Sequence, residues 1–117
     1  MTLANSKMTM RAIAACPHAE AALQLCVQLS LALDDFGLQS VSVPKPYWKN
    51  EAQFEFFFAF SDASVTEFER LTSMAPAGWW HSDEDLDRSA VWNRTEGNTF
   101  LHPAVDWANV ELSRVSN

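Results

Sequence analysis

The side chains best suited to chemistry fall in one stretch of the chain, WWHSDEDLD. It combines two tryptophans and a histidine with four carboxylates: Trp79, Trp80, His81, Asp83, Glu84, Asp85 and Asp87. Such a set could hold a cation, act as an acid/base pair, or face a basic partner protein. Each possibility makes a demand on spacing and surroundings that the sequence can test.

A calcium site fails that test. Asp83, Asp85 and Asp87 stand at the alternating positions that open a calcium-binding loop, which needs glycine at its sixth position and glutamate at its twelfth. Those positions hold Arg88 and Arg94. One histidine among flexible aspartates also lacks a second anchor for a transition metal. We therefore predict no metal and no cofactor.

Acid/base catalysis requires carboxylates whose environments push their pKa values apart, whereas these four crowd an expected exposed turn. Two interpretations of the stretch stay open. It is either a solvated acidic loop, or a surface that complements a basic partner while Trp79 or Trp80 supplies a buried anchor.

The other histidines give no nucleophilic arrangement. His18 and Glu20 lie in a first helical turn, and His102 precedes Pro103, with no serine or cysteine in a nucleophile elbow. Sequence distance alone leaves a triad open, but we expect each histidine to be structural or solvated. With only three glycines in the chain, no glycine-rich phosphate loop is present, and we predict a protein that is not an enzyme.

The net charge of −7 is concentrated in the second half of the chain. Residues 1–50 carry four basic and three acidic side chains, and residues 51–117 carry four basic and twelve acidic ones. This balance disfavours direct binding to nucleic acid or an anionic membrane and favours a basic partner. No apolar run reaches the length of a membrane span, and no secretory signal is evident, so we expect a cytoplasmic protein with reduced Cys16 and Cys26.

The length of 117 residues predicts one domain, with residues 1–7 frayed. A helix is predicted over 17–35, with Pro17 in its first turn and with Leu25, Leu29, Leu33 and Phe36 on one face. The same leucines also alternate as in a strand, but the segment is long for a strand and has few β-branched residues.

Other segments complete an α+β pattern. Strands are predicted from Met8 to Cys16, at Val41 and Val43 up to Pro44 and Pro46, and through Phe54, Phe56, Phe58 and Phe60. A second helix follows an Asp62 or Ser64 cap, with Val65, Phe68, Leu71 and Met74 inward. Closing strands are expected at 90–92, 99–101 and 105–112. This order predicts an antiparallel sheet with two helices on one face, a ferredoxin-like core with an added C-terminal hairpin.

The last third of the chain resembles the C-terminal signature of small bacterial immunity proteins. These proteins accompany polymorphic toxins, including those of contact-dependent growth inhibition. The similarity rests on three segments, DRSAVWNR, FLHP and VDWA, at residues 87–94, 100–103 and 105–108. It implies a non-enzymatic cytosolic inhibitor that binds one cognate toxin domain, frequently a nuclease, and covers its active site or substrate-binding face.

Charge agrees with this implication, since a nuclease presents positive charge to phosphates and an acidic protein can occupy that surface. The expected partner-binding residues are those of the opening stretch: Trp79, Trp80, His81, Asp83, Glu84, Asp85 and Asp87. The alternative is a small ligand-binding or regulatory module, which would need a preformed pocket of about 300 Å³ or more lined by aromatic side chains.

Overall fold

The protein consists of β-strands, whose side chains alternate between the two faces of a sheet, and two amphipathic helices. The computed structural model describes residues 6–84, 87–95 and 97–114, with backbone only at positions 83, 84 and 114. The elements in chain order are β1 (Ser6–Ala15), α1 (Ala19–Leu33), β2 (Leu38–Val41), β3 (Lys45–Tyr47), β4 (Asn50–Phe60), α2 (Val65–Thr72), β5 (Trp79–Glu84), β6 (Asp87–Asn93) and β7 (Val105–Arg114).

Within the described ranges, the strands form one antiparallel seven-stranded sheet in the order β2-β4-β1-β7-β6-β5. The short strand β3 also pairs with β4, on the same side as β2 but nearer the start of β4. The predicted α+β class, an antiparallel sheet with two helices, is therefore confirmed. In the chain, the additional β5–β6 hairpin comes between α2 and β7. In the sheet, it forms the edge opposite β2.

One face of the sheet carries the core. Every second residue of β1 and β4 is buried there, including Met8, Met10, Phe56 and Phe58, as side chains alternate across a strand. These residues join one cluster with the inner faces of both helices, including Leu29 of α1. The helices therefore cover this face, and the opposite face of the sheet, here called the open face, is left without a covering layer of described residues.

The first helix forms as predicted, with a different start. The helix begins at Ala19, so Pro17 precedes it rather than lying in its first turn as predicted. His18 is the N-cap, and its Nδ1 accepts a hydrogen bond from Ala21 N at 3.2 Å. Leu25, Leu29 and Leu33 are buried, as predicted. The chain then continues in a short 3₁₀ turn from Asp34 to Phe36 and ends at Gly37, whose φ of 71° lies in the left-handed region.

Several predicted boundaries in the first half are corrected. Residues 6 and 7 do not fray, since Ser6 and Lys7 pair with β7, while residues 1–5 lie outside the described part. The second strand ends at Val41, before Val43. Pro46 lies inside β3 rather than after a strand, which is possible because β3 lies at the edge of the sheet and proline there needs no ladder partner for its nitrogen.

The second half brings further corrections. Ser64 caps α2, as predicted, by accepting from Glu67 N at 3.1 Å, but Val65 and Met74 are exposed, so its buried face is narrower than predicted. The strand predicted at 99–101 does not form. Leu101 instead has a positive φ of 67° within an isolated bridge between Phe100 and His102.

Candidate functional site

The β5–β6 hairpin contains the predicted site. The tight loop at Ala77 and Gly78 fixes the start of β5. Ala77 O accepts hydrogen bonds from Trp92 Nε1 at 2.9 Å and from Asn98 Nδ2 at 2.7 Å. Gly78 follows with φ of 96°, and a Cβ there would lie 2.7 Å from Asn93 O. Only glycine fits this approach, so the loop enters β5 in one fixed register.

Trp79 is a structural residue of this hairpin. Its Nε1 donates to Ala75 O at 3.2 Å, and its ring meets Phe100 edge-on with centroids 5.1 Å apart. It packs against the core on the helix side of the sheet. Trp79 is therefore half-buried, and its indole N–H and ring already have contacts within the fold.

Trp80 lies on the open face. It pairs in register with Val91 of β6, and 77% of its surface is exposed. The same row of the sheet continues through Asn109 and Arg11 to Phe57 of β4. An indole with this exposure at the edge of an uncovered sheet is suited to insertion into a pocket of another molecule.

His81 returns to the helix side. Its ring centroid lies 6.2 Å from that of Phe68 in α2 and 6.3 Å from that of Trp79. The structure thus divides the three aromatic positions of the predicted site between two faces. His81 and Trp79 hold the hairpin on the helix side, and Trp80 alone of the three is presented on the open face.

Three of the four acidic positions of the predicted site, Asp83, Glu84 and Asp87, lie on strands rather than in a loop. The backbone of Asp83 pairs with Arg88, and that of Glu84 pairs with Asp87. This differs from the expected exposed turn: β5 extends to Glu84, because its backbone pairs with β6 as far as Asp87. Asp87 is exposed, and Asp85 lies outside the described residues. This arrangement brings at least two of the acidic positions opposite each other at the hairpin's tip.

A second cluster, which the sequence analysis missed, lies on the open face near β3. Ile13 is only 6% exposed although it points away from both helices. Trp107 pairs with it in register, and the Arg11 guanidinium lies 5.3 Å from the Trp107 ring centroid while it forms an ion pair with Glu55. A pocket of about 300 Å³ lies beside this cluster. The alternation of β1, which groups Arg11 with Ile13, was the signal that could have revealed it.

The remaining histidines and the cysteines have structural contacts. His18 caps α1, and His102 Nδ1 accepts from Ala104 N at 3.0 Å. Cys16 and Cys26 are free and buried. Burial raises the pKa of the Cys16 thiol, with Asp106 adding to the effect, and burial likewise raises the pKa of Cys26. Thiols that resist ionisation are poor nucleophiles.

Among the residues whose side chains are described, no group of three or more potential ligands is placed to hold a metal ion. Likewise, neither described helix combines the length and the apolar character that crossing a membrane requires.

A groove of about 430 Å³ lies at the opposite edge of the sheet, between α1 and β2. Its lining is aliphatic, with Leu23, Val27 and Leu31 from the helix and Val41 and Val43 from the strand side. It contains none of the predicted site residues, so the sequence prediction and this feature concern separate surfaces.

Comparisons with protein-family models, with curated proteins and with solved structures found no match to this chain.

Proposed function

We propose that this protein is a cytoplasmic, non-enzymatic immunity protein that binds and neutralises a cognate bacterial toxin domain through the β5–β6 hairpin. The observation that carries the proposal is the exposure of Trp80 on the open face, beside an acidic hairpin tip. Exposed tryptophan next to charge is the usual composition of an interface hot spot and its surroundings.

Strand alternation sharpens this arrangement. Asp87 is exposed and lies an odd number of positions from Ala90 and Trp92, which are buried on the helix side of β6. Because successive side chains point to opposite faces, Asp87 lies on the open face, and its backbone pairs with that of Glu84. A toxin would place an apolar pocket over Trp80 and basic side chains against Glu84 and Asp87.

The class of toxin follows from charge. Residues 51–117 carry an excess of eight acidic side chains, and the hairpin belongs to this half. A nuclease presents basic residues to phosphates, so an acidic hairpin can cover its substrate-binding face and raise the rate of association. The proposal therefore names a basic nuclease domain as the partner, with no direct contact to nucleic acid by this chain.

The test uses the domain encoded immediately upstream of this protein's gene. Co-expression should rescue growth, and the purified pair should form a tight complex. Trp80→Ala should weaken binding at least about tenfold. Trp48→Ala is the matched control, because Trp48 is 80% exposed but lies in the turn between β3 and β4. Equal loss of affinity in both variants, or in neither, would contradict the role of Trp80.

Charge reversal tests the second half of the proposal. Glu84→Lys with Asp87→Lys should slow association about tenfold at low salt and flatten its dependence on ionic strength. Glu51→Lys, an exposed carboxylate at the start of β4, should leave the rate within about twofold. An unchanged association rate in the double variant would rule out electrostatic steering by the hairpin.

The ligand-binding module is the second candidate, and the pocket on the open face favours it. Its volume of about 300 Å³ and its lining by Tyr47 and Trp107, with Arg11 and Gln53, suit a small flat molecule that stacks on an indole. Quenching of tryptophan fluorescence by such a molecule, lost in Trp107→Leu and kept in Trp80→Ala, would support this candidate. No saturable quenching by a panel of nucleobases and aromatic acids would count against it.

A further inference from the structure

The exposed side of α1 carries an aliphatic stripe. Leu23, Val27 and Leu31 are 51%, 60% and 73% exposed, and their spacing of four residues places them on one face of the helix. The buried leucines occupy another face. A surface helix normally places charged or polar residues on the side away from the core, so this stripe is not explained by the fold.

The stripe forms one wall of the groove of about 430 Å³, and Leu38, Val41 and Val43 lie across from it. Val43 is 77% exposed. Aliphatic side chains therefore line both walls of an open groove, which can receive side chains of another molecule.

Carboxylates bracket the stripe at both ends. Glu20 and Asp34 continue its helical spacing of three or four residues, and both are exposed. The chain has no lysine or arginine between Arg11 and Lys45. Glu20 and Asp34 lie about 21 Å apart along the helix, at the two ends of the apolar stripe. This arrangement is the complement of an apolar helix face with a positive charge at each end.

The edge of β2 argues against an added strand as the occupant. The strand has four residues, its pairing with β4 is irregular between Leu38 and Ser40, and Pro44 follows. Short, bulged and proline-flanked edges resist strand addition. A helix, which needs no backbone partners from the groove, meets no such obstacle.

Charge also argues against a second copy of this chain. A two-fold pairing of the stripes with antiparallel helices would bring Glu20 of one copy near Asp34 of the other at both ends, and the region offers no cation to compensate. Like charges in contact cost affinity and select against such a partner.

We propose that the α1–β2 groove binds a cationic amphipathic helix of a partner protein, with aliphatic side chains in the groove and lysine or arginine near Glu20 and Asp34. This site goes beyond the proposed toxin-binding hairpin, lies at the other edge of the sheet, and does not depend on it.

The probe is a synthetic amidated peptide of about 14 residues, which as a helix spans the distance from Glu20 to Asp34. Its leucines repeat every three or four residues, and its lysines stand at both ends. Two matched peptides accompany it, one with glutamate at the ends and one with the same composition in scrambled order. Titration into the full-length protein by calorimetry should give micromolar binding for the lysine peptide alone, and amide shifts in NMR spectra should map to α1 and β2.

Variants locate the site. Val27→Gln with Leu31→Gln should weaken binding at least about tenfold, and Glu20→Gln with Asp34→Asn should weaken it several-fold and reduce its dependence on salt. All four positions are exposed, and urea denaturation verifies that each variant stays folded. Trp80→Ala, in the hairpin, should bind the peptide as the unaltered protein does.

Four outcomes would overturn the proposal: equal binding of the lysine and glutamate peptides, equal binding of the scrambled peptide, no binding, or binding that the groove variants leave unchanged. A dimer in sedimentation that Leu31→Gln dissociates would make a second copy the occupant instead. Saturable displacement of the peptide by a fatty acid at lower concentration would make it a small-molecule site.

Discussion

The two edges of the sheet present different chemistry to solvent. At the β5–β6 edge, one exposed tryptophan stands beside an acidic hairpin tip. At the β2 edge, an aliphatic stripe and groove carry carboxylates only at their ends. The partner proposed for the first edge would be attracted by charge and anchored by one side chain, whereas the partner proposed for the second would gain mainly from burying apolar area. The two proposals therefore describe distinct modes of recognition.

Both edges are built from neighbouring side chains with opposite roles. Trp79 and Trp80 follow each other along a strand, and Leu29 and Leu31 lie two apart on a helix. In each pair the first member is packed against the core and the second faces solvent. Substituting each member of a pair in turn therefore distinguishes the side chain that stabilises the fold from the side chain that is exposed for binding.

The largest effect is expected at the entry to the hairpin. Gly78→Ala should lower the free energy of unfolding by at least about 3 kcal/mol, because φ is positive and the new Cβ would meet Asn93 O. Gly97→Ala is the control: its φ is also positive but its Cβ would meet nothing within 4 Å, so about 1 kcal/mol is expected. Urea denaturation followed by circular dichroism measures both, and similar losses would refute the close approach at Gly78.

On α1, Leu29→Ala should cost about 3 kcal/mol, since a buried leucine is replaced by a cavity. Leu31→Ala should change the free energy of unfolding by no more than about 0.5 kcal/mol. The same denaturation curves decide between them. A large loss for Leu31→Ala would mean that the stripe serves the fold itself, and the groove proposal would then lose its premise.

In the hairpin, Trp79→Ala should cost about 2 kcal/mol, because it removes the contact with Phe100 and the hydrogen bond to Ala75 O. Trp80→Ala should leave stability within about 0.5 kcal/mol. Thermal and urea denaturation of the two variants provide the measurement. If Trp80→Ala proved the more destabilising, the open face could not be treated as a free binding surface.

The smallest effect concerns the cysteines on the α1 side. Burial raises the pKa of Cys16 and Cys26 in the folded state, so the unfolded chain ionises first. The stability that the protonated thiols contribute is fully present below the thiol pKa of the unfolded chain. It is lost as the pH rises above about 8.5. Cys16→Ala should therefore show a shallower decline between neutral and alkaline pH in urea denaturation. An identical pH profile would indicate that Cys16 ionises equally in both states.

The sequence allowed good prediction of elements whose periodicity was strong. The alternating phenylalanines of β4 and the leucines of α1 specified their buried faces, because burial of one face imposes the period of the element. The acidic stretch was predicted as a turn because charge and polarity are typical of loops. Pairing with β6 overrode that local preference, and register decided that Trp79 rather than Trp80 lies on the helix side.

The sequence by itself determined the α+β class, the core faces and the acidic balance of the second half, since these follow from composition and from periods within single segments. Only the tertiary structure decided that Trp80 rather than Trp79 is presented and that Arg11, Ile13 and Trp107 meet on the open face. It alone also showed that β2 completes a groove with α1. These contacts join residues that are far apart in the chain. They are set by strand order and register, which depend on long-range packing that no local pattern encodes.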